Sequence, residues 1–117
     1  MGAVLLKLSV VIPTLNEEEC IGQVMDELSS ALDGNVEHEI IIVDGMSRDR
    51  TREIALAKGA VVVEEPRRGY GRAYKTGFAN AKGEIIATLD GDCTYPADSI
   101  IPLMEILENE DLEFITT

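Results

Sequence analysis

The sequence predicts an α/β fold: a mostly parallel, doubly wound sheet with helices on both faces. Three observations carry that prediction. Short apolar runs alternate along the chain with stretches whose apolar residues recur at helical spacing. The runs are apolar throughout rather than alternating with polar residues, as strands covered on both faces are. Each run is followed within three residues by Pro or Asp, residues of turns.

The first strand is predicted at residues 8–12, where Leu-Ser-Val-Val-Ile meets Pro13, a residue that cannot continue a central ladder. Thr14, Leu15 and Asn16 lead into Glu17, Glu18 and Glu19. Asn16 is the expected N-cap, and the acids suit the positive end of a helix dipole. Ile21, Val24, Met25, Leu28 and Leu32 follow at helical spacing, so a helix is predicted over 17–32, closed by Asp33-Gly34-Asn35. The second strand, 39–43, ends in Asp44-Gly45-Met46-Ser47. Ser47 or Asp49 is expected to cap a helix over 50–58, which Gly59 terminates. A short third strand, 61–63, runs into Glu64-Glu65-Pro66. Arg67-Arg68-Gly69-Tyr70-Gly71-Arg72 is a basic, glycine-containing loop in an otherwise acidic chain, and it opens a helix over 70–81. The fourth strand, 84–89, stops at Asp90-Gly91-Asp92. Pro96 stands near the start of another helix carrying Ile100, Leu103, Met104 and Leu107, and residues 112–116 begin a further strand.

With 117 residues the chain suits a single domain, 1–117, with one real core. Ten Lys and Arg against 22 Asp and Glu leave a net charge of −12. Such a surface argues against nucleic acid as a partner. It does not argue against a nucleotide held through a cation that bridges carboxylate and phosphate. Cys20 and Cys93, with no CxxC spacing, read as thiols of a reducing compartment. The apolar N-terminus lacks a basic leader and a cleavage site and is too short to span a bilayer, so a cytoplasmic location is expected.

In a parallel sheet the loops after the strands share one edge, and ligands bind where strand order reverses. Four such loops carry unusual chemistry: 13–17, 44–47, 67–72 and 90–92. Asp90 and Asp92 stand one residue apart just past a strand, and Gly91 lets the backbone bend so that both carboxylates face one hard cation. Oxygen ligands of this kind suit Mg²⁺ or Mn²⁺. Taken singly, the same residues also read as an Asp-Gly turn with solvated acids. Gly69 and Gly71 let backbone N–H groups approach a phosphate, although neither GxGxxG nor GxxxxGK[ST] is present. Arg67, Arg68 and Arg72 either balance the acidic surface or face a ligand, and Asp49 reads as a cap or a solvated acid. An acid pair with a metal and a basic loop on one edge suit a nucleoside diphosphate.

The segments VVIPTLNEEE, IIIVDGMSRDRT, RRGYGRAYKTGF and IIATLDGDCTYP, in that order and spacing from about residue 8 to 96, resemble the donor half of a family 2 glycosyltransferase. The polyprenyl- or dolichyl-phosphate mannosyl- and glucosyltransferases are the most similar members. The resemblance implies a glycosyltransferase-A fold and a nucleotide-sugar donor of the GDP-mannose or UDP-glucose type. It implies metal-dependent, inverting transfer to a polyprenyl phosphate or similar lipid-phosphate acceptor, at the cytoplasmic face of a membrane. It places Pro13, Leu15 and Glu17 in the nucleotide pocket, Asp44 and Gly45 against base and ribose, and Arg68 and Arg72 as nearby cations. Asp90, Gly91 and Asp92 would meet the donor diphosphate, with the metal on Asp90 and Asp92 and with Thr94 beside them. Three positions depart from the family pattern. Gly45 stands where a second acid is usual, Tyr70 where a basic residue is common, and Thr94 where close relatives often carry Gln. The acceptor-binding half is expected beyond residue 117, and no catalytic base is assigned within the chain.

Rival readings make different demands on the sequence. A nucleotide-binding module without catalysis shares every feature above and differs only in lacking turnover. A phosphoacceptor receiver domain needs paired acids after the first strand and an Asp after the third, where this chain has Pro13-Thr14 and Glu64-Glu65-Pro66. A sugar-1-phosphate nucleotidyltransferase needs a Gly-rich, Arg-containing loop after the first strand, and PTLNEEE is not one.

Overall fold

The computed structural model describes residues 7–34, 36–89 and 114–116, with residue 70 and the last three described by backbone alone. The elements follow as β1 (Leu8–Thr14), α1 (Ile21–Leu32), β2 (His38–Asp44), α2 (Thr51–Ala57), β3 (Val61–Glu64), α3 (Tyr70–Asn80), β4 (Ile85–Thr88) and β5 (Phe114–Thr116). They build one sheet in the order β3-β2-β1-β4-β5, with every neighbouring pair parallel. The chain therefore winds outward from β1 to β3, then crosses back to lay β4 on the other side of β1. That reversal puts the topological switch point between β1 and β4, where the loops leaving the two strands diverge.

The side-chain period of two along each strand divides the core between the two faces. Leu8, Val10 and Ile12 of β1 and Ile40 and Ile42 of β2 pack with Ile21, Met25, Leu28 and Leu32 of α1. On the opposite face Val11, Ile41 and Val43 pack with Ala73, Tyr74 and Phe78 of α3. Full burial of side chains of this size contributes roughly 1.5–3 kcal/mol each before chain entropy is subtracted. Helix α3 lies unusually close to the sheet. A Cβ added at Gly77 would come within 2.3 Å of Val11 Cγ1 and 3.2 Å of Val43 Cγ2, so only glycine fits at that crossing.

The predicted α/β class holds, and most element bounds lie within a residue or two of the expectation. Two expectations about the first loop are corrected. Pro13 does not stop β1, which runs through it to Thr14 with Pro13 opposite Val43 of β2. The carbonyls of Lys7 and Val11 accept from Ile85 and Leu89, so odd residues of β1 address β4, while the Thr14 carbonyl accepts from Gly45 on the β2 side. The missing N–H of Pro13 thus faces β4, beyond the last β1–β4 pair at Val11 and Thr88, where no ladder bond is required. Asn16 is not an N-cap. Helix α1 begins at Ile21 after Cys20, and Asn16 instead adopts a left-handed backbone with φ 54°, which asparagine tolerates. The helix expected after Pro96 lies outside the described residues. Among the described residues no helix is long and apolar enough to cross a membrane.

Candidate functional site

A cleft of about 750 Å³ opens over the carboxyl ends of β1, β2 and β3. Its walls come from three loops: Pro13 to Glu17 after β1, Gly45, Met46 and Arg48 after β2, and Glu65 to Gly69 after β3. Val43 and Ala73 close the bottom toward α3. The first two loops mix apolar Pro13, Leu15 and Met46 with Asn16, Glu17 and Arg48. The third loop carries Arg67 and Arg68 beside the amino end of α3, where the helix dipole is positive. Three of the chain's ten basic residues, Arg48, Arg67 and Arg68, line this one cleft although the chain as a whole is strongly acidic. Gly69, at φ 110°, turns the backbone into α3.

The first two loops are tied together by a buried carboxylate. Asp44 has no exposed surface. Its Oδ1 accepts from the Thr14 hydroxyl at 2.8 Å and the Ser47 hydroxyl at 2.5 Å, and its Oδ2 accepts from the Ser47 N–H at 2.7 Å. Arg52 approaches Oδ2 at 3.6 Å, donates to the Ser47 carbonyl at 3.0 Å and pairs with Glu64 at 2.8 Å. A carboxylate so fully engaged shapes the loops from below and presents no surface to the cleft.

Above this hub the loops are laced by side chain to backbone bonds. The Asn16 N–H donates to Ser47 Oγ at 2.8 Å, and Asn16 Oδ1 accepts from the Arg48 N–H at 2.9 Å. The Glu17 N–H donates to the Thr51 hydroxyl at 2.8 Å, and the Glu18 N–H to Asp49 Oδ2 at 3.2 Å. Asp49 also accepts from the N–H and hydroxyl of Thr51, the first residue of α2, but neither predicted residue is the N-cap: that position is Arg50, which makes no side-chain cap bond. Partial burial pulls the Asp49 carboxyl upward, but the hydrogen bonds from Thr51 and Glu18 outweigh it and hold the group below the usual carboxylate range.

The third wall rests on Glu65, an acid only 5% exposed at the end of β3. It accepts from the Arg67 guanidinium at 2.7 and 3.0 Å, from the Arg67 N–H at 3.0 Å, and from the Thr76 hydroxyl of α3 at 2.5 Å. The bidentate guanidinium, then Thr76, hold its carboxyl down to about 2, and the same pairing raises Arg67. The fork fixes the turn into α3 and parks one arginine at the cleft mouth.

The structure brings Pro13, Leu15, Glu17, Gly45 and Arg68 together on the cleft wall. Asp44 lies beneath that wall, and Arg72, exposed on the first turn of α3, is not part of it. Asp90, Gly91, Asp92 and Thr94 lie outside the described residues. The chain enters them directly from Leu89, whose N–H donates to the Val11 carbonyl at the switch point. Among the described residues no group of three or more His, Cys, Asp and Glu is placed to hold a metal ion. Sequence reasoning missed Glu65, Arg52, Met46 and Arg48. Only the clustering of Glu64-Glu65 with Arg67-Arg68 gave any signal, and it did not say which acid is buried.

Comparison with known proteins decides the family. The profile described as "Glycosyl transferase family 2" matches residues 9–116, nearly the whole chain. The chain belongs to glycosyl transferase family 2. A low-salt glycan biosynthesis hexosyltransferase, Agl6, of Haloferax volcanii is 41% identical over 107 residues, covering 91% of this chain and 26% of that protein. A dolichol-phosphate mannosyltransferase of Pyrococcus furiosus is 33% identical over 109 residues, covering 89% of this chain and 31% of that one. Among solved structures, glucosyl-3-phosphoglycerate synthase of Mycobacterium tuberculosis in complex with Mn²⁺, UDP-glucose and glycerol 3-phosphate superposes with a TM-score of 0.70 and 35% identity. That match covers 83% of this chain and 38% of the synthase. The parallel sheet and its helices are thus those of glycosyltransferase-A enzymes, and this family 2 chain spans a quarter to two fifths of the length of these relatives.

Proposed function

We propose that this family 2 chain is the donor-binding part of a metal-dependent, inverting glycosyltransferase that moves a hexose from a nucleotide sugar to a phosphate-bearing acceptor, of polyprenyl phosphate type. The observation that carries the reading is the cleft itself. It sits at the carboxyl edge of a parallel sheet, beside the switch point, with apolar Pro13, Leu15 and Met46 and three arginines, Arg48, Arg67 and Arg68, on its wall. A nucleoside diphosphate combines the same two characters, a flat base and two anionic phosphates.

Each wall has a stated part. Pro13, Leu15 and Gly45 receive the nucleoside, with the loops that carry them held rigid by Asp44, Ser47 and Thr51. Arg68, with Arg67 steadied by Glu65, offsets the negative charge of the nucleotide. Asp90 and Asp92, with the Thr94 hydroxyl, supply hard oxygen donors that fit Mg²⁺ or Mn²⁺. The cation, when bound there, supplies Lewis-acid stabilisation of the departing nucleoside diphosphate. A synthase with 35% identity is described with Mn²⁺ and UDP-glucose, which supports the metal and the donor class. The dolichol-phosphate relative and the glycerol 3-phosphate complex both pair the fold with a phosphate-bearing acceptor, which supports that half of the proposal. With such an acceptor the transfer takes place at the cytoplasmic face of a membrane.

The metal assignment is tested on Asp92→Ala by titration with UDP and GDP. Loss of Mn²⁺-dependent nucleotide binding, with the circular dichroism spectrum and unfolding midpoint retained, supports it. Unchanged affinity and unchanged metal dependence refute it.

A further inference from the structure

We propose that the outer face of α3 is a docking surface for an anionic lipid bilayer, a row of cations that starts at the cleft mouth. The choice of a bilayer rests on the lipid-phosphate acceptor proposed above.

Half of the chain's ten basic residues, Arg67, Arg68, Arg72, Lys75 and Lys82, fall within residues 66–83, and none of its 22 acids does. All five are exposed. Arg72, Lys75 and Ala79 recur at spacings of three and four, so they share the face of α3 turned away from the sheet. Ala73, Tyr74 and Phe78 pack inward. Arg68 and Lys82 stand just beyond the two ends of the helix, so the row runs from the cleft mouth to the opposite edge of the sheet.

Elsewhere the chain matches its cations. Lys7 pairs with Glu84, Arg50 with Glu53, Arg52 with Glu64 and Lys58 with Asp26. Among the described residues, no acid pairs with Arg68, Arg72, Lys75 or Lys82. The acids beneath the row are already engaged. Glu65 is buried and holds Arg67 and Thr76, and Glu39 accepts from the Ser9 hydroxyl and the Lys82 N–H.

The composition of the row selects the partner. Between the cations the exposed residues described are Gly71, Ala79 and Asn80. The core of a protein interface is apolar and poor in lysine, so this face is a poor seat for a folded domain. It suits a diffuse negative surface, where each Lys or Arg near the headgroups adds separately to binding. The acids of α1 and α2 do not cancel it, because those helices cover the other face of the sheet. Two layers of about 10 Å put Asp26, Glu27 and Glu53 about 20 Å away, beyond two Debye lengths of about 8 Å at physiological salt. Docked on this face, the protein holds the cleft mouth beside the headgroups, where a lipid-phosphate acceptor resides.

The test is co-sedimentation with phosphatidylcholine vesicles, with and without phosphatidylglycerol, at low and at high salt. The protein is expected to bind only the anionic vesicles and to leave them at high salt. Lys75→Gln/Lys82→Gln should weaken that partition about 25-fold, about fivefold per cation removed. Arg50→Gln/Lys58→Gln, an equal change of charge on the far face, should leave it as in wild type. UDP and GDP titrations of Lys75→Gln/Lys82→Gln should match wild type, since neither lysine lines the cleft. Wild type that binds nucleotide but not the anionic vesicles overturns the docking surface alone. Equal losses in the two double variants also overturn it, because net charge alone would then govern adsorption. Tighter binding of a single-stranded RNA oligonucleotide than of the vesicles at the same salt overturns the lipid assignment. Wild type that binds the vesicles through this row yet binds neither nucleotide with Mn²⁺ upholds the surface and overturns the donor reading.

Discussion

Replacing Asp44 with alanine should unfold the two-loop wall of the cleft before it changes any contact with ligand. Three donors end on its carboxylate: the Thr14 hydroxyl, the Ser47 hydroxyl and the Ser47 N–H, with Arg52 at 3.6 Å. Leaving a buried donor unsatisfied costs about 1–3 kcal/mol, and breaking a buried charge pair costs about 3–5 kcal/mol. Two of the donors are hydroxyls that can rotate, and Arg52 keeps Glu64 at 2.8 Å, so the low end applies. The expected loss is about 3 kcal/mol, a large share of the roughly 5–15 kcal/mol that holds a domain folded. At a urea dependence of roughly 1–1.5 kcal/mol per molar, the midpoint falls by about 2–3 M. Asp44→Asn keeps one acceptor oxygen but points an amide donor at the Ser47 N–H, and should fall between the two. Equilibrium urea unfolding followed by circular dichroism reads both. An Asp44→Ala protein with the wild-type midpoint would refute the strut. If that stable variant had also lost nucleotide binding, Asp44 would be a ligand contact.

Gly77→Ala gains up to about 1 kcal/mol of helix propensity but drives a methyl to 2.3 Å from Val11, and overpacking of this kind costs about 1–3 kcal/mol. The net result is a destabilised protein, read by the unfolding midpoint, whereas a stabilised one would show that α3 does not press on the sheet. Glu65 is lowered from its unfolded value near 4.5 to about 2, so the stability it contributes is fully present above that unfolded value and is lost as pH falls toward 2. Glu65→Gln should therefore lie below wild type in urea midpoint at pH 6 and converge on it as pH drops from about 4.5 to 2. A gap that stays constant over that range would contradict the ion-pair origin.

The fold was legible in the sequence because each strand is apolar along its whole length and each helix has an apolar stripe. Those two periods alone define a sheet covered on both sides, as α1 and α3 now cover it. The site was legible as a set of loops, because the strand ends at Pro13, Asp44 and Glu64 lie on one edge of any parallel sheet. What each side chain does there was not legible. Pro13 reads as a strand stop unless one knows that its missing N–H faces β4 past the end of the ladder. Asn16 reads as a cap until the Arg48 N–H of the neighbouring loop is seen bonded to it. Asp44, Arg52 and Ser47 form one network only after the sheet brings residues 14 and 44 into register. Glu65 and Glu64 are indistinguishable in sequence, and only the approach of Arg67 and Thr76 buries one and leaves the other exposed. The left-handed backbone at Met46 carries no sequence signature, since glycine is the residue expected there.

The most direct test of the donor-binding account is a calorimetric titration of the protein with UDP and with GDP, each with and without Mn²⁺. The account predicts that at least one of the two binds, that binding strengthens with Mn²⁺, and that the base it carries names the donor. A protein that melts cooperatively yet binds neither nucleotide in the presence of Mn²⁺ would contradict it.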